Sequence, residues 1–249
     1  MNRMTTGVKW LLIVNSVLFV IYFLSARSAL GDFFLLLGLV PRSVLSSFAI
    51  WQLFTYMFLH SPFGFGHILM NMLALWMFGT PLESIWGTRR FLQFYFFCGV
   101  GAGVCVVLLN LFFGSLDTRT IGASGAIYGT LMAFGILFPK VTTYFFGLFP
   151  IEARWMVIIV GAIVFLSSLS DSGGSVSHFA HLGGMAFGYL WLRLNLGHKA
   201  KIRTDWRGDL QQRYKDWKLR RAKKKFQVYL KRHGSSTQDR RGGPGDWIQ

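Results

Sequence analysis

The chain is predicted to be an all-α polytopic membrane protein, a bundle of six transmembrane helices with an interfacial outer connection between the first two. Three observations carry that prediction. Hydrophobic residues fill 53% of the 249 positions and charged residues only 14%, where a soluble domain carries roughly 25% charge. The apolar residues gather into six runs. The remaining charge is uneven, since 16 of the 26 Lys and Arg fall between Lys199 and Arg241, so the net charge of +16 belongs mainly to a tail.

Taken in order, the runs cover about 10–24, 67–82, 91–113, 124–138, 155–168 and 178–196. Several fall short of the roughly 20 residues a perpendicular helix needs, which blurs their ends more than their number. Arg3 and Lys9 precede the first run, Arg89 and Arg90 follow the second, Lys140 and Arg154 flank the turn after the fourth, and the basic tail follows the sixth. The positive-inside rule places these groups, and both termini, in the cytoplasm. Only Arg27, Arg42 and Arg119 are left outside. A multi-pass protein of the plasma (inner) membrane of a bacterium is the expected setting. Residues 1–197 form the membrane domain, and 198–249 a basic cytoplasmic tail that is partly helical and then disordered.

Two segments invite another reading. The first run has a basic start and Ser25-Ala26-Arg27-Ser28-Ala29 behind it, as a signal peptide does, although cleavage there would not change the downstream orientation. Phe33 to Gly66 is too apolar for a surface loop, and is interrupted by Pro41, Pro62 and Gly64. Short helices at headgroup depth are expected there. The rival, a seventh spanning helix, would move only the N-terminus to the outside. Ser170 to Ser177, with Gly173-Gly174, reads as a flexible outer loop.

The two cysteines, Cys98 and Cys105, would sit about 10 Å apart on one helix, beyond the ~7 Å reach of a disulfide. They read as small packing residues.

In this topology the second, fourth and sixth runs all descend from the outer side. His67 and Asn71 begin the second, Ser124 the fourth, and His181 lies one turn into the sixth. Four reactive or hydrogen-bonding side chains thus reach a similar depth from distant positions. The fourth run spans only about 22 Å of a ~30 Å core, so Ser124 begins below the outer surface and the chain before it dips inward, which requires a cavity. Ala123, Gly125, Ala126, Gly129 and Ala133 make that helix slim, and Ala180, Gly184 and Gly188 do the same on the sixth. Small faces let helices approach closely, which would bring Ser124 and His181 within hydrogen-bond reach.

Singly, these residues have plainer readings. A membrane serine usually bonds its own helix, Gly125 and Gly129 alone mark ordinary packing, and His67 with Asn71 at i, i+4 would serve as a structural hydrogen bond. Together they supply a nucleophile, a base and two oxyanion donors, the parts acyl transfer needs. No acid completes a triad. Of the acids outside the tail, Asp32, Glu83, Asp117, Glu152 and Asp171, Glu83 and Glu152 fall on the cytoplasmic side, and Asp117 and Asp171 lie in outer loops where solvation is the default. Tyr128, one turn after Ser124, would orient the imidazole or simply pack. His178 is the alternative base. A zinc site using His178, His181 and His67 lacks a carboxylate base and the usual ligand set, so no metal is expected.

His67-x-x-x-Asn71, Gly122-Ala123-Ser124-Gly125 with Tyr128, and Ala180-His181-x-Gly183-Gly184 with Gly188 resemble the signature of the rhomboid intramembrane serine proteases. Order, spacing and membrane position agree over about residues 8–196. The resemblance implies a minimal six-helix form with Ser124 as nucleophile and His181 as general base. His67, Asn71 and the Ser124 backbone amide bind the oxyanion, Tyr128 stacks on the histidine, and Gly122 and Gly125 support the motif. It further implies transmembrane protein substrates that enter laterally between helices, unwind and are cut at small residues near the outer face, with no cofactor. Where the family often has Trp-Arg this chain has Trp51-Gln52, which puts the anchoring of the outer connection in question.

In the tail, Leu210, Tyr214, Trp217 and Phe226 recur near helical spacing among cations. An amphipathic helix on anionic lipid headgroups and a solvated positive tail are equal readings. Only charge would favour nucleic acid, which is not expected. A non-enzymatic adaptor of the same fold would typically lack the serine or histidine, and a channel would scatter polar residues through several spans.

Overall fold

The computed structural model describes residues 4–145, 149–170 and 175–196, together with 218, 219, 221, 223 and 227. The chain divides into two units, Met1–Lys199 and Ala200–Gln249. In the second unit the five described residues are helical and exposed. The tail helix expected over 205–234 otherwise lies outside the described residues, as does the end of the chain.

Helix α1 (Thr6–Ser25) buries Val8, Leu11, Asn15, Phe19 and Tyr22, a stripe at three- and four-residue spacing. Trp10, Val17, Val20 and Leu24 on its other faces are exposed. A helix apolar all round, but covered by protein on one stripe only, is suited to lipid. The N–H groups of Gly7 and Val8 donate to the Glu83 carboxylate at 2.7 and 2.8 Å. Glu83, assigned by the sequence only to the cytoplasmic side, caps the positive end of α1.

The outer connection forms α2 (Ala29–Leu37), α3 (Pro41–Ser46), α4 (Gln52–Thr55) and a 3-10 turn at Tyr56–Phe58. These are the expected short helices, and none is long enough to span. Gln52 supplies the anchoring that the missing arginine had put in question. Its Oε1 accepts the Val40 N–H at 3.0 Å and its Nε2 donates to the Leu36 carbonyl at 3.0 Å, so one buried amide ties the end of α2 to α4. The Thr55 hydroxyl adds a bond to the Leu37 carbonyl.

The second span is longer than the sequence suggested. It comprises α5 (Phe65–Ala74), a π-helical turn (Leu75–Gly79) and α6 (Thr80–Trp86). The loosened turn lies just before Pro81, whose ring lacks the N–H that would continue the ladder. Gly87 then turns the chain at φ +77°, and α7 (Thr88–Phe113) follows. Helix α1, the continuous 65–86 segment and α7 are each long and apolar enough to cross a bilayer.

Helix α8 (Ser124–Leu137) has 14 residues, about 21 Å. A hairpin absent from the sequence reading comes next, β1 (Thr142–Phe145) paired antiparallel with β2 (Phe149–Glu152) in the register Thr142 to Glu152. Its threonines and aromatics suit strands. Helices α9 (Ala153–Ser170) and α10 (Ser175–Leu196) complete the unit. Both exceed their predicted bounds, and of the loop expected over 170–177 residues 171–174 lie outside the described residues.

The centre is a three-helix contact of α7, α8 and α10 built on small residues. A Cβ at Gly129 would fall 2.6 Å from the Cys98 side chain, and one at Gly183 would fall 2.8 Å from Cys105 Cβ. Both cysteines are free thiols in the packing role expected of them. Close backbone approach at this contact sets the geometry of the site.

Candidate active site

Helix α8 opens at Ser124, and its first intrahelical bond runs from the Ile127 N–H to the Ala123 carbonyl at 3.1 Å. The N–H groups of Ser124, Gly125 and Ala126 precede that bond and have no acceptor in their own helix. The chain enters through Gly122 at φ +123°, a conformation that side chains disfavour. The Gly122 N–H donates to the Tyr56 carbonyl at 2.9 Å. The Tyr56 hydroxyl donates to the Gly99 carbonyl at 2.7 Å. One buried tyrosine therefore holds the entrance of α8 against the middle of α7.

Ser124 Oγ lies 2.9 Å from His181 Nε2 on α10. The distance is that of a hydrogen bond between a nucleophile and its base. The rings of Tyr128 and His181 are stacked, with centroids 4.1 Å apart and planes at 11°, so a side chain one turn below the serine fixes the plane of the imidazole. His181 Nδ1 is buried and has no hydrogen-bond partner among the described residues. His178, the alternative base, meets the His181 ring edge-on at 6.4 Å, one turn back along α10.

His67 and Asn71 come to the same place from α5. A Cβ placed on Gly122 would lie 3.3 Å from His67 Nε2 and 3.9 Å from Asn71 Nδ2. Both side chains thus flank the turn that delivers the serine, and the missing Cβ leaves the space between them open. Gly125 faces the other way, where a Cβ would fall 2.6 Å from Ala102 Cβ.

Sequence reasoning passed over His60. It is fully buried, its Nε2 lies 3.0 Å from Asn71 Nδ2, and its ring centre is 5.4 Å from that of His67. An ionisable side chain within an otherwise apolar connection was the available signal. Tyr56 was also missed, because an aromatic residue in an aromatic-rich segment gives no local sign of its two hydrogen bonds.

On the outer connection, Arg42 Nε and Nη2 donate to the two Asp117 carboxylate oxygens at 2.6 and 2.9 Å. The guanidinium holds that carboxyl below its ordinary range. Asp117 is thereby engaged far along the chain from His181. No cluster of three metal-ligating side chains occurs among the described residues.

A family model, the Rhomboid domain, matches residues 47–197, more than half of the chain. The chain is 33% identical over 133 residues to Rhomboid protein 1, mitochondrial, of Saccharomyces cerevisiae, covering 51% of this chain and 37% of the yeast protein. It is 29% identical over 152 residues to Rhomboid protease GluP of Bacillus subtilis, covering 61% and 27%. It is 32% identical over 142 residues to Putative rhomboid protease YdcA of the same organism, covering 56% and 64%. The chain spans less than two thirds of the length of each of these relatives. With the matched segment running from the outer connection to the end of α10, the chain belongs to the rhomboid family of integral membrane proteins.

Proposed function

We propose that the protein is an intramembrane serine endopeptidase that cleaves transmembrane segments of membrane proteins near the outer membrane face, using a Ser124–His181 dyad and an acyl-enzyme intermediate. The observation that carries this reading is the 2.9 Å separation of Ser124 Oγ and His181 Nε2. The names of the Bacillus subtilis relatives, both proteases, support the reaction class.

In this mechanism His181 carries its proton on Nδ1 and accepts the Ser124 hydroxyl proton on Nε2. Oγ attacks the peptide carbonyl carbon, and the carbonyl electron pair moves onto oxygen. The oxyanion is received by the His67 and Asn71 side chains and by the Ser124 N–H. A donor of this kind is worth roughly 10²- to 10³-fold in rate. Collapse of the adduct breaks the C–N bond, and His181 returns the proton to the leaving amine. Water, deprotonated by the same nitrogen, then hydrolyses the ester and frees Ser124. With no acid behind His181 among the described residues, ring orientation falls to Tyr128.

The bilayer is the working medium, the chain runs with both termini in the cytoplasm of a bacterial plasma membrane, and no cofactor takes part. A fluorophosphonate probe on the purified protein tests the reading. Labelling that is lost in Ser124→Ala and His181→Ala, with parallel loss of cleavage of a model transmembrane substrate, is expected. Cleavage that survives Ser124→Ala would overturn it.

A further inference from the structure

A cleft lies at the other end of the helices. It has a volume of about 580 Å³ and is lined by Trp86, Gly87, Thr88, Arg89, Arg90, Gln93, Trp191 and Asn195. Along α10, Trp191 is ten residues beyond His181, about 15 Å away, so the cleft is separate from the site described above.

Its chemistry points to an anion. Arg89 and Arg90 are both exposed, and neither has an ion-pair partner among the described residues. They occupy the first turn of the 26-residue α7, where the first intrahelical bond is donated by Phe91 to the Gly87 carbonyl. The N–H groups of Thr88, Arg89 and Arg90 therefore have no acceptor in the helix, and a helix start favours negative charge. Independently of that terminus, Trp191 Nε1 on the cleft lining is a buried donor atom with no hydrogen-bond partner among the described residues. Among the described residues, the Glu83 carboxylate beside the cleft is already engaged by two α1 N–H groups and the Thr88 hydroxyl.

The surroundings select an amphiphilic anion. Phe94 packs edge-on to both Trp86 and Trp191, at 5.0 and 6.0 Å, giving the cleft a fixed aromatic wall. Next in sequence to the lining residues Trp86, Trp191 and Asn195, the side chains of Ile85, Leu190 and Leu194 are 54%, 42% and 67% exposed, apolar surface available to acyl chains. Tryptophan near helix ends belongs at headgroup depth, and basic pockets between helices suit anionic headgroups.

We propose that this cleft binds the phosphate of an anionic phospholipid, with Arg89 and Arg90 as the charged ligands, the Trp191 indole N–H as a neutral donor, and Ile85, Leu190 and Leu194 against the acyl chains. The proposed ligands include none of the residues around Ser124 and none of the tail.

Native mass spectrometry of the full-length protein in detergent, titrated with phosphatidylglycerol or with phosphatidylcholine of the same chains, tests this. Retention of phosphatidylglycerol in preference to phosphatidylcholine is expected. Arg89→Gln with Arg90→Gln weakens it about 25-fold, at about fivefold for each cation. Trp191→Phe, which keeps the aromatic wall, weakens it by a smaller factor, and the tail variant Lys223→Gln/Lys224→Gln/Lys225→Gln leaves it unchanged. Equal retention of the two lipids would overturn the proposal. So would loss confined to the tail variant, or displacement of the lipid by millimolar inorganic phosphate, which would make the ligand a soluble anion.

Discussion

Gly184 on α10 meets Gly125 on α8 backbone to backbone, so closely that a Cβ at Gly184 would penetrate the Gly125 carbonyl oxygen. One turn further along, a Cβ at Gly188 would fall 2.7 Å from the Gly129 carbonyl. The serine and histidine helices are thus held at a separation that only hydrogen side chains permit. Gly184→Ala must push them apart, at a typical overpacking cost of about 1–3 kcal/mol. A displacement of about 1 Å near the chemistry costs about 100-fold in rate. Fluorophosphonate labelling should therefore fall by about two orders of magnitude, with a lowered melting temperature. Wild-type labelling in Gly184→Ala would show that the contact does not set the Ser124–His181 distance.

The stacked pair of Tyr128 and His181 gives a more selective expectation. Tyr128→Phe keeps the stacking face and should retain most of the cleavage rate. Tyr128→Ala loses an aromatic contact worth about 0.5–1.5 kcal/mol and frees the imidazole, so kcat should drop about tenfold or more while KM changes little. Equal losses in the two variants would point to the hydroxyl instead of the ring.

His60 is expected to act through Asn71. Its Nε2 engages one amide proton of Asn71 and leaves the second for the space beside Gly122. Asn71→Ala should lower kcat by roughly 10²- to 10³-fold, and His60→Leu by about tenfold. In a double-mutant cycle His60→Leu should then add little to Asn71→Ala, because coupled neighbours are not additive. Fully additive losses would assign His60 a role in holding the outer connection alone.

The Arg42–Asp117 pair pins the outer connection to the segment before α8, and its pH dependence has a definite sign. The folded-state pKa of Asp117 is depressed below the ordinary 3.8 by Arg42. Its stabilising effect is therefore complete above that ordinary value and lost as pH falls through the folded value. Both side chains are more than half exposed, so salt should weaken the pair as well. Hydrogen exchange over 114–120 should quicken below about pH 4 or in 1 M salt in the wild type, and be fast throughout in Asp117→Asn. Exchange insensitive to both would show that the backbone bridge between Leu39 and Thr120 suffices.

Much of this was legible in the sequence because membrane helices announce themselves by apolar runs, and because Ser124, His181, His67 and Asn71 stand out against such runs. The short helices of the outer connection followed from its prolines and aromatic content. The hairpin at 142–152 did not, since two four-residue strands carry little periodic signal beside long helices. Nor did the capping role of Glu83, since the sequence does not say what a carboxylate near a basic turn meets until the start of α1 is placed against it. Gln52 raised a question that only coordinates answer, as an amide has two functional ends and the sequence does not say what either meets.

The π-helical turn at Leu75–Gly79 makes the length of the second span a counted quantity. Above it His67 and Asn71 face the serine turn, and below it Glu83 faces the start of α1. Deleting one residue between them would leave a span as apolar as before, yet rotate one half against the other by about 100°. Natural variation in this helix should therefore trade residues without changing their number, and an alignment gap between Asn71 and Glu83 would signal a protein whose upper and lower halves answer to different constraints.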